Sequence, residues 1–444
     1  MVVSVSGTDP YTPQGTADEP RAHLIMEASS SSGNVGTNTW EMLDRQGLTP
    51  TATAVDFYRA AVAAYCADQR ISRQTHARDS WGREITIHLP VTDLRLWQRA
   101  QRTFEELLRF LTGDHWTLEL RESAFARPPR REILFSRATP LAAKQVCLLS
   151  GGMDSYLGAI DLLAQGTIAY FVSHYGGGTG KRIGKVQDQV AEALGREFPA
   201  DTSKALGFHV TPRGDLTSEK ETSSRSRSIL FLGIAVLVAS SLGDDAEVVV
   251  PENGFISLNV PLTASRLGSH STRTTHPHTL DLLRRNLESL DIRLQVKNPY
   301  SFLTKGEMLA ACSRLSFVGR TVGLTMSCAH PVLGRFRGGV GSGFEHCGYC
   351  LPCLIRRSSL HHLGWDPVED YSYDVRRRKP STEAEKANIF AFRMALQRLQ
   401  HEPPLPFLLS AGPLECAEGE LERYLDVYLR GMHEVGNFLD TSKA

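Results

Sequence analysis

The stretch 144–156, KQVCLLSGGMDSY, constrains the fold more than any other part of the chain. Its apolar run, 146–149, predicts a buried β-strand. Ser150-Gly151-Gly152-Met153-Asp154-Ser155 then predicts a glycine turn, and a helical pattern follows from Tyr156 to Leu163. Strand, glycine turn and helix start in that order make an anion site. Glycines let the backbone approach a phosphate, and the first amides of a helix lack internal partners. A Walker A loop requires Lys after its last Gly, where this chain has Asp154-Ser155. On these six residues alone an ordinary tight turn is the alternative.

The region downstream alternates. Strands are expected at 168–174, 247–251 and 294–297. Helices are expected at 156–165, 185–194, 229–242, 279–290 and 305–312. Strands spaced by helices predict an α/β fold, a doubly wound parallel sheet with helices on both faces. Ligands bind such sheets beyond the carboxyl ends of the strands, where 150–155, 175–181 and 252–254 fall.

On either side the pattern changes. Residues 1–50 are rich in Ser, Thr, Gly and Pro and read as an irregular arm. Residues 51–142 read as an α+β domain, with helices at 54–68 and 93–111 and strands at 84–89, 116–120 and 132–135. The α/β domain is placed at 143–325, a metal-binding subdomain at 326–367 and a helical region at 368–444, with helices at 383–399 and 420–439. The basic runs 127–131 and 376–379 read as solvated turn and linker charges.

Forty-nine basic side chains balance forty-nine acidic ones, so a general polyanion-coating protein is not indicated. The N-terminus has no basic stretch followed by a long apolar one, and the most apolar segment, 229–242, is too short to span a bilayer. A cytoplasmic protein with no membrane role is expected.

Four of the eight cysteines fall close together: Cys328, Cys347, Cys350 and Cys353. Cysteines two apart across a turn, which Gly348 permits, direct thiolates at one centre, and four sulfurs with no open position describe structural Zn²⁺. A redox C-x-x-C pair is the rival reading. His330 and His346 read as bystanders.

The 150–155 loop is similar to the SGGxDS loop of the PP-loop (N-type) ATP pyrophosphatases, which cleave ATP between its α- and β-phosphates and adenylate a substrate. Loop and cysteine cluster together resemble the QueC family, the 7-cyano-7-deazaguanine synthases. His174-Tyr175-Gly176 with Lys181-Arg182 looks like the family's YGQRH segment. Arg225-Ser226-Arg227-Ser228, Leu303-Thr304-Lys305-Gly306-Glu307, Thr325-Met326-Ser327-Cys328 and the segment from Cys347 to Asp366 match further motifs. The resemblance covers about 144–367 and implies a PP-loop/HUP-like (adenine nucleotide alpha hydrolase-like) fold.

It also implies roles. Ser150, Gly151, Gly152, Met153, Asp154, Ser155 and Tyr175 would bind ATP, with Asp154 holding Mg²⁺ or orienting phosphates. Asp154, Ser155, Lys181, Arg182 and Arg227 would be catalytic, the cations neutralising charge at the α-phosphate. Glu252, Asn253, Arg273 and His276 would belong to the substrate loop, where the chain departs from the family's pattern.

The implied reaction is ATP-dependent adenylation of a carboxylate, 7-carboxy-7-deazaguanine or a related deazapurine. Amide or nitrile formation, or conjugation to a partner protein, would follow. The added N- and C-terminal regions resemble QueC-like proteins of bacterial antiphage operons, which implies protein partners from the same operon. A tRNA-modifying PP-loop enzyme and a non-catalytic nucleotide-binding scaffold are the alternatives, the first disfavoured by the neutral net charge.

Overall fold

Val146, Cys147 and Leu148 are apolar at consecutive positions because both faces of their strand are covered. The computed structural model describes residues 1–4, 11, 22–26, 33–77, 82–123, 139–176, 180–213, 221, 225–262, 273–329, 332–333, 344–415 and 417–440. In chain order its strands are β1 Val2–Ser4, β2 His23–Ile25, β3 Val35–Thr37, β4 Glu84–Val91, β5 His115–Glu122, β6 Gln145–Leu148, β7 Ala169–Tyr175, β8 Ser203–Pro212, β9 Glu247–Val249, β10 Gln295–Lys297, β11 Val332–Leu333 and β12 Phe344–Glu345.

The central sheet has the order β10-β9-β6-β7-β8-β3. Its first five strands run parallel, and β3 closes the β8 edge antiparallel. Val146, Leu148, Tyr170 and Val172 enter one core with helices Ala52–Arg70, Arg227–Ala239 and Pro277–Ser289. Cys147, Leu149, Ala169 and Phe171 enter another with helices Met153–Ala164 and Gly180–Glu197. Helices therefore cover both faces. From β6 the chain first adds β7 and β8 on one side, then places β9 and β10 on the other. The connections leaving β6 and β9 part there, at the carboxyl ends of the strands, where sheets of this kind bind ligands.

The N-terminal region, expected to be α+β, is organised differently. Its four strands, ordered β2-β1-β4-β5, all pair parallel. Helix Leu94–Thr112 makes the β4–β5 crossover, N-capped by Asp93, which accepts from the Leu96 amide at 2.9 Å. The alternation read at 84–89 and 116–120 marks two strands but not their relative direction, which the intervening helix sets. Residues expected as an irregular arm supply β1, β2 and β3. The expected strand 132–135 and the basic run 127–131 lie outside the described residues.

The N-terminal region and the central sheet share one apolar core. Helix Ala52–Arg70 is buried from Ala54 to Asp68, along nearly its whole length. Helices Glu383–Leu399 and Glu420–Asp440 share a third core with helix Leu351–His361 and with Phe255 and Leu258. Among the described residues no helix is long and apolar enough to cross a membrane.

Polar contacts fasten helix Ala52–Arg70 at its C-terminal end. The fully buried Asp68 carboxylate pairs with Arg83 at 2.5 Å and Arg73 at 3.1 Å, and accepts from the Ser226 amide at 2.9 Å and hydroxyl at 2.8 Å. It thus ties the N-terminal helix to the start of Arg227–Ala239. Removing one partner of a buried ion pair strands the other charge, at about 3 kcal/mol or more. Asp68→Ala is expected to lower unfolding stability by about that amount, measured as a shift in urea midpoint at unchanged m-value.

Candidate active site

The loop after β6 is built as its composition requires. Gly151 has φ of +86°, a conformation that a side chain would strain. Gly152 caps helix Met153–Ala164, and the Met153 amide is the first without a partner inside the helix. Hydroxyls gather around these amides. Ser155 Oγ accepts from the Ser150 amide at 3.2 Å and lies 3.1 Å from Ser150 Oγ, which accepts from the Gly152 amide at 3.3 Å. Ser327 Oγ accepts from the Met153 amide at 3.2 Å, and the Met326 amide donates to Gly151 O at 2.8 Å. Three serine oxygens thus stand over the turn where an anion's oxygens would meet the same donors.

Asp154, on the first turn of that helix, is buried where the connections after β6 and β9 part. Its Oδ1 pairs with Lys305 Nζ at 2.5 Å, and its Oδ2 accepts from Asn253 Nδ2 at 2.6 Å and the Asn253 amide at 3.2 Å. Asn253 and Lys305 are both buried. The magnesium role expected for Asp154 meets a lysine ammonium at Oδ1 and two amide donors at Oδ2, so we assign no step to magnesium at this carboxylate.

Glu252 stands beside this group, its carboxylate accepting from the Thr275 hydroxyl. Burial pushes the Glu252 carboxyl up to about 7, with the Asp154 charge adding to the rise. Asn298 fixes the adjacent backbone, accepting from the Glu252 amide at 3.3 Å and donating to Glu252 O at 2.8 Å.

The other expected site residues separate. Arg227 donates to His174 O at 3.0 Å. Gln187 Nε2 also reaches His174 O, and Ser150 O, each at 3.2 Å, which leaves Arg227 one residue removed from the loop. Tyr175 ends β7 with its ring 5.3 Å from that of His209. Lys181 and Arg182 begin helix Gly180–Glu197, and their side chains lie outside the described residues.

Arg273 and His276 turn to packing. Arg273 donates to Phe110 O at 3.2 Å and lies 4.5 Å over the Phe110 ring. His276 caps Pro277–Ser289 through Nδ1, and burial pushes its ring down to about 3. In a segment dense in hydrogen-bonding side chains, these two serve the contact with helix Leu94–Thr112. The sequence reading passed over Gln187, Lys305 and Ser327 as site residues. Lys305 and Ser327 lie inside motifs already noted, which was the available signal.

The cysteines converge. A tetrahedral zinc with Zn–S of about 2.3 Å sets its sulfurs about 3.8 Å apart. Cys328–Cys350 and Cys347–Cys353 are each 3.8 Å, and all four sulfurs lie within 4.8 Å of one another. Four sulfurs gathered about one centre, rather than a single pair, make the donor set fit a metal. The amides of Cys347 and Cys350 donate to the sulfurs of Cys328 and Cys347 at 3.3 Å, which stabilises negative charge on those sulfurs. His346 directs Nε2 at Thr325 O, 3.3 Å away; His330 lies outside the described residues.

The cluster is coupled to the loop. Cys328 follows Ser327 directly, and the buried Arg356, on the cysteine-bearing helix, donates to Thr325 Oγ1 at 2.6 Å and Val322 O at 2.9 Å.

Architecture and site together define a class: an α/β protein with a parallel sheet, a glycine loop at the point where strand order reverses, and a four-cysteine cluster whose geometry fits a metal. A 7-cyano-7-deazaguanine synthase of Saccharolobus solfataricus is 24% identical over 241 residues, which is 50% of this chain and 46% of that protein. The match spans about half the length of this curated relative, and it makes the chain similar to enzymes of the QueC type. No protein-family model matches the chain, and no solved structure does.

Two outcomes follow. A carboxyl whose folded pKa is raised contributes stability that is full below the unfolded value and is lost as pH rises through the folded one. Glu252→Gln should therefore become more stable relative to the unmodified chain as pH climbs from about 4.5 through about 7, read by thermal melting across that range. The purified chain should carry zinc stoichiometrically by elemental analysis. Cys350→Ser should lose most of it and melt at lower temperature.

Proposed function

We propose that the chain is an ATP-dependent, adenylate-forming enzyme of the QueC type, built on the doubly wound PP-loop fold. Its substrate on this reading is a deazapurine carboxylate, 7-carboxy-7-deazaguanine or a close relative. The carrying observation is the Asp154–Lys305–Asn253 group beside the serine-rimmed loop at the switch point of the sheet. The similarity to a 7-cyano-7-deazaguanine synthase supplies the reaction class.

The chain's own groups suit the first step. The amides of Gly152 and Met153 and the hydroxyls of Ser150, Ser155 and Ser327 take the phosphate oxygens, the hydroxyls turning to donate. Lys305 brings a positive charge to this switch point of the sheet, and Asp154 holds it in place. The carboxylate oxygen of the substrate attacks the α-phosphorus, forming the acyl–phosphate bond as the bond to the β-phosphate breaks and pyrophosphate leaves. An amine nitrogen then attacks the acyl carbon, a C–N bond forms, AMP departs and the amine proton passes to base. Zinc, held by Cys328, Cys347, Cys350 and Cys353, would supply structure alone.

On this reading the chain acts beside the antiphage-operon members of the type, of which QatC is the example, and the added N- and C-terminal regions are what supports that part of the reading. The acceptor amine is then a protein partner of the same operon rather than ammonia. Pyrophosphate release from ATP is the test, with 7-carboxy-7-deazaguanine present and candidate partners added in turn. Release that needs the carboxylate and falls at least a hundredfold in Asp154→Ala is expected. An intact-mass increase of the partner that depends on Asp154 would mark conjugation. Absence of carboxylate-dependent release in every mixture would overturn the proposal.

A further inference from the structure

The C-terminal helix Glu420–Asp440 lies outside the region that carries the family resemblance, yet it grips the turn that presents Lys305. Thr304 caps helix Lys305–Ala310 in a reciprocal box with Glu307, its Oγ1 accepting from the Glu307 amide at 3.1 Å. That leaves the Thr304 hydroxyl proton to be placed, and the Glu434 carboxylate accepts it. The second oxygen of Glu434 accepts from the Gly306 amide at 3.4 Å. Residue 306 is glycine for this approach: a Cβ there would stand 2.6 Å from Glu434 Oε1. One turn earlier on the same helix, Arg430 pairs with Glu307 and donates to Phe302 O at 3.0 Å. Residues 302, 304, 306 and 307 are thus held from one side by two residues of one helix.

Lys305 lies inside this grip, is itself buried, and reaches Asp154 at 2.5 Å. We infer that Glu434 is a positioning residue for the Lys305–Asp154 pair, which makes the C-terminal helix a working part of the nucleotide site. The inference deepens the ATP-dependent reading above and rests on it for its kinetic consequence. Its geometric consequence is separate: without Glu434 the Thr304 hydroxyl and Gly306 amide must find other partners, the capping turn loosens, and the Lys305 ammonium opens to solvent. Glutamine keeps an oxygen for the Gly306 amide and an amide donor for Thr304 Oγ1, so it preserves most of the grip.

The experiment has two readouts on the full chain and on Glu434→Ala, Glu434→Gln and Gly306→Ala. The first is site-resolved amine labelling by mass spectrometry, which needs no activity. Lys305 should be protected in the unmodified chain and in Glu434→Gln. Labelling should rise about tenfold in Glu434→Ala and in Gly306→Ala, whose methyl displaces the carboxylate. The second is pyrophosphate release: kcat should fall at least tenfold in the two alanine variants with KM for ATP changed less than threefold, and Glu434→Gln should restore most of kcat. If the unmodified chain releases no pyrophosphate, the reading above fails while the labelling pattern still decides the inference. Equal Lys305 labelling in all four proteins would overturn it. So would parallel loss of labelling protection and melting temperature in every variant, glutamine included, which is the signature of a merely structural contact.

Discussion

Everything at the site depends on how one buried carboxylate is neutralised. Asp154 sits at a helix start inside the molecule, where an unpaired charge would cost several kcal/mol. Its three contacts, to Lys305 and twice to Asn253, come from segments about a hundred and a hundred and fifty residues away along the chain. A single group thereby fixes three strand-end connections to one another. The helix N-terminus adds a favourable field for the negative charge. On the proposed reading the arrangement is preorganised: the amides that would face a phosphate are held by serine hydroxyls whose places a ligand's oxygens would take.

The four-cysteine cluster serves the same end from another direction. Ser327 touches the loop and Cys328 belongs to the four-sulfur group, so adjacent residues join the two centres. Arg356 extends the link through Thr325, and Arg357, paired with Asp366 at 2.9 Å and Asp374 at 3.0 Å, carries it into the segment before the C-terminal helices. Such a chain of buried polar contacts transmits position because Arg357 cannot rotate away without leaving the Asp366 and Asp374 charges unpaired.

Much of this was legible where the chemistry is local. The glycine turn, its flanking strand and helix, and the cysteine spacing are set by residues within a few positions of each other. Strand β8 buries Leu206, Phe208 and Val210 in alternation, a short pattern that lies between the expected helix 185–194 and the apolar run at 229–242 and belongs to neither. Arg273 and His276 misled because a polar segment after a strand looks the same whether it meets a ligand or another helix. The direction of β4 and β5 was hidden for a different reason, since alternation reports burial and not polarity of pairing. Glu434 bonds to Thr304 across 130 positions, and no pattern near either residue announces it.

The antiparallel strand β3 has a consequence for how the chain can be cut. It is only three residues long, but Asn38 extends it, accepting from the His209 amide at 2.7 Å and donating to Gly207 O at 2.9 Å, while the Arg213 amide is met by Asn34 O at 2.7 Å. Together these contacts blunt the outer border of β8, which would otherwise be a ready template for pairing with another molecule. A shortened chain beginning after residue 40 would retain the loop, the lysine turn and the cysteines. It would also display an unpaired strand in the sheet that carries them, so its failure would be one of colloidal behaviour rather than of chemistry.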